Sequence, residues 1–198
     1  MTRIDFTKAT YRCSAHYPDQ WPPDEGVEVA FAGRSNVGKS SAINAITRQN
    51  RLAKTSKTPG RTQQINFFDL SDTHRLVDLP GYGFAKAPEQ MRAHWQEFIT
   101  AYLNERQSLR GLIVPMDIRR PLTELDLVML ECCWQSGLFV HVLLTKADKF
   151  KRGKSANTLH GVKKQLNDKP STSVQLFSAL KKQGVDEARD RLSELLLS

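Results

Sequence analysis

Nothing in the 198 residues approaches the length of a membrane-spanning apolar helix, for which a bilayer asks about 20 residues. The start, Met1-Thr2-Arg3-Ile4-Asp5, has no apolar core of a secretory signal. A myristoylation start and a prenylation end are missing, and the last residues are Leu195-Leu196-Leu197-Ser198. These absences argue against a lipid-anchored or membrane protein and lead to the expectation of a cytoplasmic one. Cysteine is scarce: Cys13, Cys132 and Cys133 show no metal-type spacing. The adjacent pair falls in a helical pattern and reads as small buried hydrophobes suited to a reducing compartment. There is no internal repeat and no low-complexity segment. Acidic residues are missing from 32–68, which holds seven lysines and arginines. Between 146 and 182 ten basic residues face Asp148 and Asp168 alone, within a net charge of +8.

What is present is more specific. Gly33-Arg34-Ser35-Asn36-Val37-Gly38-Lys39-Ser40 lies between Val27–Ala32, which reads as a buried strand, and Ser41–Arg48, which puts Ala42, Ile43, Ala45 and Ile46 on one side of a helix. A strand, a glycine-rich turn and a helix in that order form a phosphate-binding loop. Gly33 and Gly38 allow a tight turn and close approach of the backbone to an anion. The loop amides and the first helical turn then point at phosphate oxygens. Lys39 is expected to reach the β- and γ-phosphates, and the Ser40 hydroxyl to bind Mg2+.

The base is specified further along. Asp78-Leu79-Pro80-Gly81 follows the apolar Leu76-Val77. An Asp at a strand end can hold Mg2+ through water, and the Gly81 amide can contact the γ-phosphate. Thr145-Lys146-Ala147-Asp148 follows the strand-like Phe139–Leu144. A carboxylate there accepts the ring N–H and exocyclic amine of guanine. Adenine offers no donors on that edge and would leave Asp148 desolvated and unpaired. The Lys146 stem can lie along the purine face. Ser178-Ala179, after the apolar Val174–Phe177, can bring a backbone amide to the guanine carbonyl. Four motifs in this order, each at the end of a strand pattern, specify GTP or GDP with Mg2+, bound outside the carboxyl ends of the strands.

Ala53–Gln64 is polar, basic and broken by Pro59-Gly60, as a mobile switch loop would be. A threonine there would bind Mg2+ in the presence of a γ-phosphate. Thr55, Thr58 and Thr62 compete, and Thr62 is favoured as the nearest to the following strand pattern, Gln64–Leu70. Tyr82 follows Gly81, where Ras-type GTPases carry a water-orienting glutamine, so slow intrinsic turnover is expected. One nucleotide employs few of the cations in the two basic segments. A second polyanion, RNA held by its phosphates, is expected, and the sparse aromatics there argue against base stacking.

The remaining pattern fits one α/β domain. Helices are expected over Pro88–Arg106, with Trp95 and Tyr102 on the sheet, and over Leu122–Trp134, Ser155–Leu166 and Val185–Leu197; Leu112–Met116 reads as a strand. Residues 1–25, with Pro18, Pro22 and Pro23, read as an extension laid over a 26–198 domain or partly disordered. Asp117-Ile118-Arg119-Arg120-Pro121 reads as a strand-end turn with no assigned chemistry.

With GRSNVGKSS at 33–41, KTPGRTQ at 57–63, DLPGYGFAK at 78–86, TKAD at 145–148 and SA at 178–179, the chain resembles the EngB (YihA/YsxC) family of bacterial GTPases, a branch of the Era-like group. The resemblance implies a Ras-like, mostly parallel six-stranded sheet, GTP hydrolysis, and a role in large ribosomal subunit maturation and cell division, with a monomer expected. It selects Thr62 as the switch Mg2+ ligand beside Ser40 and Asp78, and Lys39, Thr62 and Gly81 as the catalytic groups. It implies nucleotide contacts from Gly33 through Ser41, from Gly60, Arg61, Thr62, Gln63 and Gln64, and from Asp78 to Gly81. Further contacts are implied from Thr145 to Asp148 and from Phe177, Ser178 and Ala179. Related Era-like groups lack the glutamine, and some use K+ held partly by an Asn at the place of Asn36.

Overall fold

The computed structural model describes residues 4–54, 64–83, 89–169 and 171–198, with backbone alone for 89–96. Thr55, Thr58, Gly60, Arg61, Thr62, Gln63 and Pro88 lie outside the described residues, as does the Trp95 side chain. The strands are β1 (Thr10–Ala15), β2 (Val27–Phe31), β3 (Ile65–Asp69), β4 (His74–Asp78), β5 (Leu109–Asp117), β6 (Phe139–Thr145) and β7 (Thr172–Leu176). The helices are α1 (Lys39–Thr47), α2 (Glu89–Glu105), α3 (Glu124–Gln135), α4 (Arg152–Gln165) and α5 (Val185–Leu196).

The strands form one sheet in the order β1-β3-β4-β2-β5-β6-β7. β4, β2, β5, β6 and β7 are mutually parallel, while β3 runs antiparallel to β4 and β1 antiparallel to β3. Parallel neighbours need long crossovers, and helices supply them. Val29, Ala30 and Phe31 of the central β2 are fully buried, as the unbroken apolar run requires of a strand covered on both faces. Ile43 and Ile46 of α1 pack with Leu192 and Leu196 of α5 on one face. Tyr102 of α2, Leu130 of α3 and Val162 of α4 cover the other. Each fully buried aliphatic side chain contributes about 1.5–3 kcal/mol. Burial pushes the Cys133 thiol up to about 12, which leaves it the inert hydrophobe read from the sequence.

The strand count corrects the expectation of six. The seventh is β1, drawn from within the 1–25 segment. Without it β3 would expose a row of unpaired amides and carbonyls. β1 covers that edge from Thr10 opposite Asp69 to Ala15 opposite Ile65, with an irregularity between Tyr11 and Cys13. Ser14 Oγ donates to Asn66 Oδ1 at 2.6 Å, fixing the pairing from the side chains as well.

At the N-terminal ends of the strands a charged cluster closes the fold. Glu28, fully buried, accepts from Arg75 Nη1 at 3.0 Å, Arg106 Nη2 at 2.6 Å, Arg106 Nε at 2.9 Å and the Tyr102 hydroxyl at 2.7 Å. The same arginines donate to the carbonyls of Pro22, Pro23 and Glu25. The proline-rich segment before β2 is thereby tied to the sheet.

Candidate nucleotide-binding site

The glycine-rich turn leaves β2 at its C-terminal end and enters α1 at Lys39. Gly38 sits at φ 104°, ψ 20° as the N-cap, a conformation that side chains resist. A Cβ on Gly33 would come within 3.1 Å of Pro115 O and Val37 Cγ2. The glycines of the motif are therefore demanded by this backbone as well as by a ligand. The loop is docked on the Asp-x-x-Gly segment: the Ser35 amide donates to Tyr82 O at 2.9 Å and the Tyr82 amide to Gly33 O at 3.2 Å. A Cβ on Gly81 would lie 3.2 Å from Ser35 Oγ, so a side chain there would have to displace the Ser35 hydroxyl.

Lys39 Nζ donates to Asp78 Oδ1. The cation expected at the phosphates and the carboxylate expected at the metal thus lie side by side between α1 and the end of β4. Ser40 Oγ donates to Lys54 O at 3.3 Å, a long bond that is readily exchanged. Val37 is buried, Ser41 is exposed on α1, and the amide of the buried Leu79 donates to Phe31 O at 3.0 Å. Pro80 is buried beside it. The Gln64 side chain lies against His16 of the segment following β1.

Thr145 ends β6 directly opposite Asp117 of β5. Its hydroxyl is 2.6 Å from Val37 O and 3.0 Å from Met116 O. It clamps the phosphate loop to the sheet, a positioning role beyond what the motif alone stated. Lys146, at φ 58°, reaches across the loop to donate to Asn36 O at 2.8 Å and Asp117 Oδ2 at 2.9 Å. Asn36 itself is exposed at φ 65°. The Asp148 carboxylate is oriented by Ser178 Oγ, which donates to Oδ1 at 2.6 Å from a fully buried position. The Ala147 amide donates to Phe177 O at 3.1 Å, joining the loop after β6 to the loop after β7, where Ala179 is half-buried.

Two positions carry more than the sequence reading gave them. Asp117 anchors Lys146 and receives both Nε and Nη2 of Arg119, at 2.9 and 2.6 Å. The Arg119 side chain holds the Asp117 carboxyl well below the usual carboxylate range against the opposing effect of partial burial; the Arg119 amide and Lys146 add to it. Its position at the C-terminal end of a strand beside Thr145 was the available signal. Asp126 of α3 is the second. Its Oδ1 accepts from Arg34 Nε and the Tyr82 hydroxyl, both at 3.1 Å, and its Oδ2 from the Thr123 amide and hydroxyl at 3.0 and 2.8 Å. The Arg34 side chain is thus directed at α3. Burial, reinforced by Asp126, raises the Tyr82 phenol far above its ordinary value, so it stays a neutral donor.

The donors and their placement define a class. A left-handed glycine loop, a Lys–Asp pair and an oriented carboxylate converge at the C-terminal ends of neighbouring parallel strands, the geometry of a P-loop GTPase. Residues 28–146 match the family model described as 50S ribosome-binding GTPase. The chain is 56% identical over 184 residues to the probable GTP-binding protein EngB of Stenotrophomonas maltophilia, covering 92% of each. It is also 56% identical to that of Xanthomonas oryzae pv. oryzae, covering 92% of this chain and 89% of the relative. A crystal structure of a probable GTP-binding protein engB superposes with a TM-score of 0.67 at 21% identity, over 86% of this chain and 98% of that one. Aquifex aeolicus Era bound to GDP·AlF4⁻ gives 0.68 at 19% identity, over 86% and 57%. At those identities the structures speak for the fold alone. The sequence relatives decide the family: the chain belongs to the EngB GTP-binding proteins and is a GTP-hydrolysing enzyme. No helix among the described residues is long and apolar enough to cross a membrane.

Proposed function

We propose that the protein is a GTP-driven switch that binds assembling large ribosomal subunits and leaves on hydrolysis. We place it in the cytoplasm as a monomer, serving normal septation through that role, with 26–198 as its GTPase domain and 1–25 as an extension. The observation that carries the reading is the convergence of the phosphate loop and the Asp148 carboxylate at one end of the sheet, in a chain whose family model is described as ribosome-binding.

Lys39 and the loop amides would stabilise charge on the transferring phosphoryl group, with the Gly81 amide at the γ-phosphate. Asp148 would read guanine, and the Lys146 stem would lie along the base. The residues present fit Mg2+: Ser40 and Asp78 offer hard oxygen donors, Asp78 through water, and Thr62 would add a third. Among the described residues no group of three or more His, Cys, Asp or Glu could form a metal cage, which suits an ion held largely by phosphates and water. Bound there, Mg2+ would neutralise charge on the phosphates. The Tyr82 hydroxyl is tied to Asp126, so it does not orient an attacking water and slow unassisted turnover follows. K+ near Asn36 is our candidate for compensating charge, and equal rates in matched KCl and NaCl would remove it.

Co-sedimentation with purified large subunits, with the protein loaded with GDP or a non-hydrolysable GTP analogue, tests the switch. Preference for the GTP form supports it. Indifference to the nucleotide contradicts it. The placement of Tyr82 also favours a second reading, a nucleotide-gated RNA-binding scaffold with incidental hydrolysis, which negligible turnover with every ribosomal particle would select.

A further inference from the structure

We propose that the outer face of α4 is the surface that seats RNA, through the phosphates of its backbone. This rests on the reading of the protein as a large-subunit assembly factor and assigns the contact. α4 carries Arg152, Lys154, Lys163 and Lys164 and no carboxylate. Lys149 and Lys151 precede it. Lys181 and Lys182 stand in the loop after β7, which the Ser178–Asp148 hydrogen bond ties to the same corner. All of these cations are exposed. Two other helices differ: α3 holds Glu124, Asp126 and Glu131 and no Lys or Arg, and α5 mixes Asp186, Glu187, Asp190 and Glu194 with Arg189 and Arg191.

One α4 cation is engaged within the chain, Lys154 lying over the Phe150 ring at 4.0 Å. Among the described residues no carboxylate pairs with Lys151, Arg152, Lys163 or Lys164, whereas the arginines of α5 are paired with Asp186 and Glu194. Arg152 and Lys154 sit in the first turn, where the helix dipole disfavours positive charge. A row of unpaired like charges is a net cost to the isolated protein that a polyanion would reverse.

The shape agrees with the charge. A Cβ on Gly153 or Gly161 would meet nothing within 4 Å, so no packing inside the chain asks for glycine, which at the interior position 161 costs about 1 kcal/mol relative to Ala. The low surface between the cations lets a partner's backbone come close. From Arg152 to Lys164 the helix runs about 18 Å, room for several phosphates. α4 presents no exposed large hydrophobic side chain, and protein interfaces gather such groups at their centre whereas nucleic-acid interfaces are polar and cationic.

The test neutralises Lys151→Gln, Arg152→Gln, Lys163→Gln and Lys164→Gln together, none of them in the nucleotide site. A control changes Lys8→Gln, Arg48→Asn, Arg51→Gln and Arg110→Gln on other parts of the surface. Both variants are checked for wild-type GDP affinity, then titrated across salt against purified large subunits and an RNA duplex of about 20 base pairs. The α4 variant is expected to lose about 100-fold in affinity for both near 0.1 M salt, with the slope of log K against log salt shallower by about 3. The control should stay within about 3-fold of wild type. An α4 variant indistinguishable from the control overturns the proposal while leaving the assembly role standing. Loss on subunits with unchanged duplex binding overturns RNA in favour of a ribosomal protein. Wild-type protein that fails to bind subunits even at low salt overturns the underlying reading, and it is recognised before any variant is made.

Discussion

At the N-terminal ends of β2 and β4, Glu28 is closed in by Arg75, Arg106 and Tyr102, each within hydrogen-bond distance. At the C-terminal ends of the same strands, the phosphate loop and Asp78 carry a comparable density of polar groups in an arrangement that leaves them exchangeable. Lys39 and Asp78 hold one another, Ser40 makes one long bond, and the backbone is left-handed at Asn36, Gly38 and Lys146. The far pole neutralises its charges with fixed partners and rigidifies the fold. The near pole keeps its charges directed at a position a ligand would occupy, and its second layer (Thr145, Asp117, Ser178, Asp126) is the part that is fixed. The same residue types thus close the fold at one pole and, on the function proposed above, serve recognition at the other.

Breaking the closed pole should produce the largest loss of stability. Glu28→Gln leaves two buried guanidinium groups without their common anion, and a loss of about 3–5 kcal/mol is expected in urea denaturation. GDP affinity of the folded fraction should remain within about 3-fold of wild type. A loss below about 1 kcal/mol would show that Asp24 and Asp69 suffice for the arginines.

Acid offers a second probe of the fold, away from the nucleotide site. His141 is buried, and desolvation, opposed by its hydrogen bond to Gln175 and reinforced by Arg191, lowers it to about 4. Its Nε2 pairs with Gln175 Oε1 and its Nδ1 with Ser173 Oγ, both at 2.8 Å. Because the Ser173 hydroxyl also accepts from Arg191 Nε, the network suits a neutral ring with the proton on Nε2. The unfolded chain then binds a proton that the folded chain does not. Stability should be full above about pH 6.5, fall as pH drops, and level off near the folded-state value of about 4. The loss should approach about 3 kcal/mol. His141→Gln should flatten that segment of a denaturation series, and an unchanged slope would contradict the assignment.

The smallest effect concerns the seam between the site and α3. Tyr82→Phe removes one hydrogen bond to Asp126 and should cost about 1 kcal/mol, with unassisted GTP turnover within about 2-fold of wild type. A large fall in turnover would show that the phenol acts on the nucleotide.

Much of this division was legible in the sequence, and the exceptions share a cause. The apolar runs of β2 and β6 and the glycine, lysine and carboxylate positions of the motifs are set by local geometry, so the sequence displayed them. β1 was not legible because Thr10–Ala15 is a half-exposed edge strand whose only fully buried residue is Ala15, and a strand of that kind shows no alternation. Asp117 was left without chemistry, and Asp126 and Glu28 were passed over, because Lys146, Arg34 and Arg106, which tie them to the site or the closing cluster, lie 29, 92 and 78 residues away. Only the folded sheet brings those partners together. Recognition was written in short strings, and the shell that positions it was not.

The measurement that bears most directly on the division is calorimetric titration of wild-type protein and Asp148→Asn with GDP and with XDP. Asn in place of Asp148 loses an acceptor and gains a donor, so the account predicts that guanine affinity falls by about 100-fold or more while xanthine affinity rises above it. Denaturation midpoints of the unliganded proteins should stay close together. An Asp148→Asn protein that still prefers GDP would contradict the assignment of this pole to guanine recognition.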